Sequence, residues 1–303
     1  MELGIEIPTA EFATRENVIR VAQAAEQIGL GSLWSYERLF RPLDPVTQGG
    51  RKTVIGEYYG SLFDPLEALS FAAALTSRIK LGTSIIDALF HPPAVLGRRF
   101  ATLDQLSQGR AIAGLGQGWM EEEFRHAGVP MKRRGAGFGE YIDALRAIWG
   151  PDPVAFHGRF YEIPPSQISP KPVQPGGPPV IVAANSPDSL ARAARQADGI
   201  NPFLRDRDAF TQMLGGYRQL VADGGRDPQK QMIIIRANVK MTDEPLPEPR
   251  ASLSGSVAQV LDDLRWLRPL EVHTVFFAMG SQHVPVDKQL GYLEKLQQGL
   301  SAG

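Results

Sequence analysis

Few residues of this chain could do covalent chemistry unaided. The sequence has no cysteine, which excludes a thiolate nucleophile, thiolate metal sites and disulfides. Its five histidines, His91, His126, His157, His273 and His283, show no metal-ligand spacing such as H-E-x-x-H, so no metal is expected. His91, beside Pro92-Pro93, is the best placed to face a pocket, yet reads more readily as structural. The chain offers instead a set of short polar or glycine-rich endings to apolar runs. They are Pro8, Tyr36-Glu37-Arg38, Ser84-Ile85-Ile86-Asp87, Gly116-Gln117-Gly118, Ala184-Asn185-Ser186, Asn201-Pro202-Phe203, Asn238 and Met279-Gly280. Small residues and amides with few acid–base groups suit the holding of a large planar cofactor. Such a cofactor brings the reactive atoms, and the protein positions and tunes them.

Three of these endings, and one arginine pair elsewhere, carry specific expectations. Ala184-Asn185-Ser186-Pro187 precedes a helical pattern, where backbone N–H groups and the Ser186 hydroxyl favour a phosphate; simple helix capping is the alternative. Gly114-Leu115-Gly116-Gln117-Gly118-Trp119 is not G-x-G-x-x-G, and no acidic residue is placed to bind a ribose. Glu37 brings a carboxylate. Arg38 stays protonated near neutral pH and serves as a clamp for an anion rather than as an acid or base, unless the pair is an ordinary surface salt bridge. Arg133-Arg134 could reach an anionic tail.

These endings need strands behind them. Period-two and continuous apolar runs predict strands at Leu3–Pro8, Ser32–Tyr36, Ile79–Ile86, Ala111–Leu115, Val180–Ala184, Gly199–Phe203, Met232–Val239 and Val272–Ala278. Helical spacing fills most of the gaps between them. Thr14 caps the first helix without completing a capping box, and Gly29 ends it. Residues 37–65 and 150–179 read as irregular insertions, the first rich in aromatics (Tyr58, Tyr59, Phe63) and therefore a lid or pocket wall. Eight strands with intervening helices favour a closed α/β barrel, (β/α)8, over an open sheet. In such a barrel the carboxyl ends of the strands form the active face.

Composition narrows the partners. The 303 residues are 43% hydrophobic and 21% charged, with a formal net charge of -1, an ordinary globular balance. No electrostatic reason exists to expect nucleic acid or an anionic membrane surface. No apolar run approaches the roughly 20 residues that span a bilayer, and Met1-Glu2-Leu3-Gly4 does not begin a signal peptide. A soluble, cytoplasmic, single-domain protein over residues 1–303 is expected.

The blocks ATLDQLSQGR and GLGQGW, with Phe156-His157-Gly158-Arg159-Phe160-Tyr161 and Ser169-Pro170-Lys171-Pro172-Val173-Gln174-Pro175, occur in order along the chain. Together they resemble the bacterial-luciferase-like superfamily of flavin- and deazaflavin-dependent oxidoreductases, from Gly4 to about Phe277. The resemblance settles the choice for the TIM barrel. It implies a cofactor wall at Gly116 and Gly118, a cofactor-phosphate contact at Ala184, Asn185 and Ser186, and a homodimer. In deazaflavin-using relatives a non-proline cis peptide at the position of Ser84–Ile85 backs the ring. Many of these relatives carry an acidic residue followed by histidine where this chain has Glu37 and Arg38, the two residues assigned to catalysis. The expected activity is hydride transfer between coenzyme F420, a deazaflavin, and a small organic substrate. The alternatives are a monooxygenase using reduced FMN and oxygen, with Trp34, Tyr58, Tyr59 and Phe63 as a dry wall, and a non-catalytic cofactor-binding barrel.

Overall fold

A computed structural model describes residues 1–301. Its eight parallel barrel strands are β1 (Glu2–Glu6), β2 (Ser32–Ser35), β3 (Lys80–Thr83), β4 (Ala111–Gly116), β5 (Val180–Val182), β6 (Gly199–Ile200), β7 (Met232–Ala237) and β8 (Thr274–Phe277). Each pairs in parallel with the next, and β8 returns to β1 through Glu2 opposite Thr274. The sheet is therefore closed, a (β/α)8 barrel. Nine helices surround it among the described residues: α1 (Arg15–Ile28), α2 (Pro65–Ala73), α3 (Pro93–Ser107), α4 (Glu121–His126), α5 (Ala136–Trp149), α6 (Pro187–Gln196), α7 (Arg207–Asp223), α8 (Val257–Leu267) and α9 (Val286–Ser301). No helix among the described residues is long and apolar enough to cross a membrane.

Side-chain alternation explains what fills the barrel and what caps it. Inward residues Trp34, Ile112, Ile181, Ile234 and Phe276 form a closed cluster with Met232 against it. The Trp34 and Phe276 rings stack, with centroids 4.7 Å apart. Gly82 makes room for that pair, since a Cβ there would strike the Trp34 ring. Trp34 Nε1–H donates to Ser32 Oγ at 2.8 Å, so the indole carries no unpaired donor into the core. Two residues further along the same faces come Tyr36, Ser84 and Arg236, and Glu6 follows Gly4. The period of two thus delivers polar groups to the carboxyl mouth above an apolar plug.

The predicted third strand is interrupted. β3 stops at Thr83, the Ser84–Ile85 peptide bond is cis, and Ile86–Asp87 then resumes pairing with β4 at Leu115 and Gly116. Thr83 Oγ1 donates to the Gly114 carbonyl at 2.7 Å and accepts from the Gly114 N–H at 3.0 Å. A Cβ at position 114 would overlap the Thr83 carbonyl oxygen, so glycine is the residue that admits this bulge.

The two insertions are more ordered than their composition suggested. Residues 37–65 contain a hairpin, Val46–Gln48 with Arg51–Thr53, and a short 3-10 turn at Glu57–Gly60. Val46, Ile55 and Met120 form a small core of their own that seats this hairpin at the mouth. Residues 150–179 contain a second hairpin, Val154–His157 with Glu162–Ser166. Glu140 Oε1 accepts the N–H groups of Phe160 and Tyr161 at 2.7 and 2.8 Å, and buried Asp104 accepts those of Val173 and Gln174 at 2.8 and 2.9 Å. Each carboxylate replaces ladder partners that an irregular backbone lacks.

Candidate active site

A cleft of about 580 Å³ opens at the carboxyl ends of the strands, lined among others by Tyr36, Glu37, Asp87, Gly116, Trp119 and Arg236. That volume lies in the range of roughly 300–1,000 Å³ typical of small-molecule and cofactor sites.

Glu37 stands just past β2 and is buried. Its Oε1 meets His91 Nε2 at 2.7 Å, and its Oε2 accepts the Asp87 N–H at 3.0 Å. Its own N–H donates to the Ile85 carbonyl at 3.0 Å. Arg38 also lines the cleft, but it is neither a free clamp nor a surface ion pair. Arg38 Nη1 lies 2.5 Å from Glu123 Oε2, and the two side chains are 10% and 0% exposed. The guanidinium also lies over the rings of Tyr59 and Trp119, 5.4 and 5.3 Å from their centroids. Glu123 Oε1 accepts the Leu39 N–H at 2.9 Å, which fixes the turn after β2.

Asp87 is the second carboxyl facing the cleft. Its Oδ1 accepts the Gly118 N–H at 2.9 Å. Burial pushes this carboxyl up; Arg38 holds it down, and the nearby Glu123 and Glu37 carboxylates push it up again, to about 7. A carboxyl held near neutrality in a cleft marks a candidate functional position, as buried charge networks like this one also produce such shifts. Glu123 is also raised, by burial, with Arg38 opposing.

Beneath the cleft, Arg236 Nη2 pairs with Glu6 Oε2 at 2.6 Å and its Nη1 donates to the Ser84 carbonyl at 3.1 Å. The guanidinium lies 4.5 Å from the centroid of the Tyr36 ring. Burial alone would lower Arg236, and Glu6 beside it more than reverses that. Ser84 Oγ donates to Asn201 Oδ1 at 2.7 Å, and Asn201 Nδ2 donates to the Ile234 carbonyl at 2.6 Å. The bulge after β3 is thus held from both sides.

The residues expected from sequence are distributed as follows. Glu37, Arg38, Ser84, Ile85, Gly116, Gly118 and Asn185 all line the cleft. Ala184 is fully buried behind the wall. Ser186 lies outside the lining and closes a capping box with Ser189 on α6. The N–H groups of Asn185 and Ser186 both donate to Ser189 Oγ, at 3.0 and 2.9 Å. These two N–H groups are therefore satisfied internally, and a phosphate taking them would have to displace the Ser189 hydroxyl. Arg134 lines the cleft, whereas Arg133 lies over the rings of Phe160 and Tyr161. Of the four aromatics expected to form a dry wall, only Tyr59 lines the cleft. Trp34 is in the barrel plug, and Phe63 borders a separate outer groove with Val18 and Phe71.

Sequence reasoning passed over Arg236, Glu6, Glu123 and the role of Asp87. A signal existed for the first two. Each is a charge within an apolar strand run, on the alternation that enters the barrel, where only a paired or functional ion is tolerated. No cluster of three or more histidine or carboxylate side chains that could hold a metal occurs among the described residues.

The fold and the cleft define a TIM-barrel protein with a cofactor-sized site at the carboxyl face. The chain matches the luciferase-like monooxygenase family over residues 1–246; it belongs to that family and is an oxidoreductase. An uncharacterized protein of Mycobacterium tuberculosis is 32% identical over 91% of this chain and 90% of its own. An F420-dependent glucose-6-phosphate dehydrogenase of Kineococcus radiotolerans is 29% identical over 95% of this chain and 78% of its own. A homologue of the same name from Amycolatopsis mediterranei is 32% identical over 66% and 56%. Among solved structures, a monooxygenase from Streptomyces bottropensis superimposes with TM-score 0.80 at 24% identity, covering 100% and 99% of the two chains. The coenzyme F420-dependent tetrahydromethanopterin reductase of Methanopyrus kandleri gives TM-score 0.76 at 16% identity, covering 98% and 97%. At these identities the structural likeness is one of fold.

Proposed function

We propose that this chain is a coenzyme F420-dependent oxidoreductase that moves hydride to or from a small organic substrate. The observation that carries the reading is the polar, hydrogen-bonded wall made by Glu37, Asp87 and Arg236. Reduction of a carbonyl, or oxidation of an alcohol, needs a proton delivered or removed beside the reacting carbon. A peroxyflavin calls instead for a dry wall, and although Tyr36, Tyr59, Trp119 and Phe203 line the cleft, they share it with Glu37, Asp87 and Arg236. The relatives named as F420-dependent dehydrogenases support the same reading.

The residues present fit a flat, polar-edged ring. Gly116 and Gly118 keep one wall thin, and a Cβ on Gly116 would strike Ile85. Ser84 and Ile85 would back the ring, and Asn185, Asn238 and Gln48 offer amides around it. Once bound, a deazaflavin supplies a ring carbon that takes or gives hydride. Glu37, held by His91 and the Asp87 N–H, is the chain's own group for the accompanying proton. Arg236 fixes the Ser84 carbonyl and so the shape of the wall. Arg134 at the cleft suits an anionic tail. A homodimer acting in the cytoplasm belongs to the same proposal, with light scattering and cell fractionation as its tests.

Titration of the purified protein with F420 and with FMN, read by fluorescence quenching, tests the cofactor. Tight binding of F420 alone is expected. Tight binding of FMN alone would replace this reading with the oxygenase.

A further inference from the structure

The departure at Arg38 raises a question of proton traffic. Arg38 is committed to Glu123 and cannot exchange a proton near neutral pH. Glu37 lines the cleft but is only 7% exposed, so a proton collected there needs a way out once the cleft is filled. His91 is placed to provide it. Its Nε2 meets Glu37 Oε1 at 2.7 Å. The ring is 17% exposed, yet His91 contributes nothing to the lining of the cleft. Its Nδ1 makes no hydrogen bond and is not among the buried, unpartnered polar atoms, so that nitrogen is reached by water although the residue does not line the cleft. Glu37 thus stands between the cleft and the imidazole, and the imidazole between Glu37 and bulk solvent.

We propose that Glu37 and His91 form a two-member proton relay joining the closed cleft to solvent, so that a histidine arriving from the β3 side does what Arg38 cannot. The inference rests on Glu37 being the proton-transfer group proposed above. In the outward direction a proton from the cleft bonds to the Glu37 carboxylate. The carboxyl O–H then breaks as a bond forms to His91 Nε2, giving an imidazolium, and Nδ1 gives up its proton to water. One proton crosses and no electrons move; the inward path is the reverse. Each passage leaves the imidazole in its other tautomer, so the ring must return to the Nδ1–H form before it accepts the next proton from Glu37. The charged and titratable groups around Glu37 are Asp87, Arg38, Glu123 and Tyr141. None of them offers Glu37 an alternative donor or acceptor, because its side-chain partners are His91 and the Asp87 N–H.

The test is made with the cleft filled by whichever of F420 and FMN the protein binds, so that water no longer reaches Glu37 through the cleft and the outcome does not depend on which of the two is the ligand. Infrared spectroscopy after a photoacid pH jump follows the carboxylic C=O band of Glu37, identified by its loss in Glu37→Gln. In His91→Gln the amide keeps a hydrogen bond to Glu37 but cannot carry a proton through. The expected result is an unchanged final amplitude with protonation slowed roughly tenfold or more, restored by added imidazole in His91→Ala. An unchanged rate in His91→Gln would overturn the relay. So would the absence of a Glu37 band throughout the pH range in which the protein stays folded, since a group that never protonates carries no proton. A structural role for His91 would alter amplitude or folding, not the rate alone.

Discussion

Replacing Asp87 by asparagine should stabilise the protein, and the gain should depend on pH. The carboxyl is 3% exposed and is pushed from an ordinary value of 3.8 to about 7. The folded state therefore holds this proton more tightly than the unfolded chain does. As pH rises from about 4 to about 7, the unfolded chain loses the proton first, and stability falls across that window. A displacement of this size corresponds to on the order of 4 kcal/mol, with about a third already incurred near pH 5. Asparagine cannot ionise and retains an oxygen for the Gly118 N–H, so it escapes the cost. Urea unfolding near pH 5 and near pH 8 should show the variant gaining roughly 2–3 kcal/mol more at the higher pH. A stability difference independent of pH, or one that moves against the variant as pH rises, would refute the reasoning that burial and carboxylate neighbours hold Asp87 protonated.

Arg38→Ala leaves Glu123 charged in a fully buried place, and should cost about 3–5 kcal/mol in chemical denaturation. Adding Glu123→Gln should recover much of that loss; failure to do so would mean the pair is not what the arginine stabilises. Gly116→Ala places a methyl against Ile85 and Asp87, and should weaken cofactor binding in the fluorescence titration far more than it lowers the melting temperature. Ser186→Ala breaks the capping box of α6 and should cost about 1 kcal/mol. If that helix end also holds a phosphate, the same variant weakens binding of a phosphate-bearing cofactor; if not, binding is unmoved.

The barrel was legible because its two periods are plain in the sequence. Runs such as Leu3-Gly4-Ile5-Glu6-Ile7 alternate, and the stripe Val18, Val21, Ala22 and Ala25 repeats at helical spacing, so strands and helices separate early. The residues lining the cleft followed from taking the carboxyl ends of those strands as the active face. The bulge after β3 was not readable from Thr83-Ser84-Ile85 alone, because it depends on a carbonyl reaching across to Gly114. Pairings across long sequence distances were equally hidden: Glu6 with Arg236, Arg38 with Glu123, and Glu37 with His91 each join separate strand ends or helices. The hairpins in 37–65 and 150–179 were missed for a related reason. Their backbones are supported by distant carboxylates and a small local core rather than by a strong strand pattern. The capping serine of α6 was seen, but its partner Ser189, which takes the N–H groups a phosphate would use, was not.

The most direct test of the central claim is to mix the protein with oxidised F420 and a panel of probe alcohols, glucose 6-phosphate and simple secondary alcohols included, while following cofactor absorbance and dissolved oxygen together. A parallel sample contains reduced FMN and the same panel. The account predicts that F420 absorbance is lost with at least one alcohol, without oxygen uptake. Oxygen uptake coupled to product formation with reduced FMN, and no change in F420 absorbance, would contradict it.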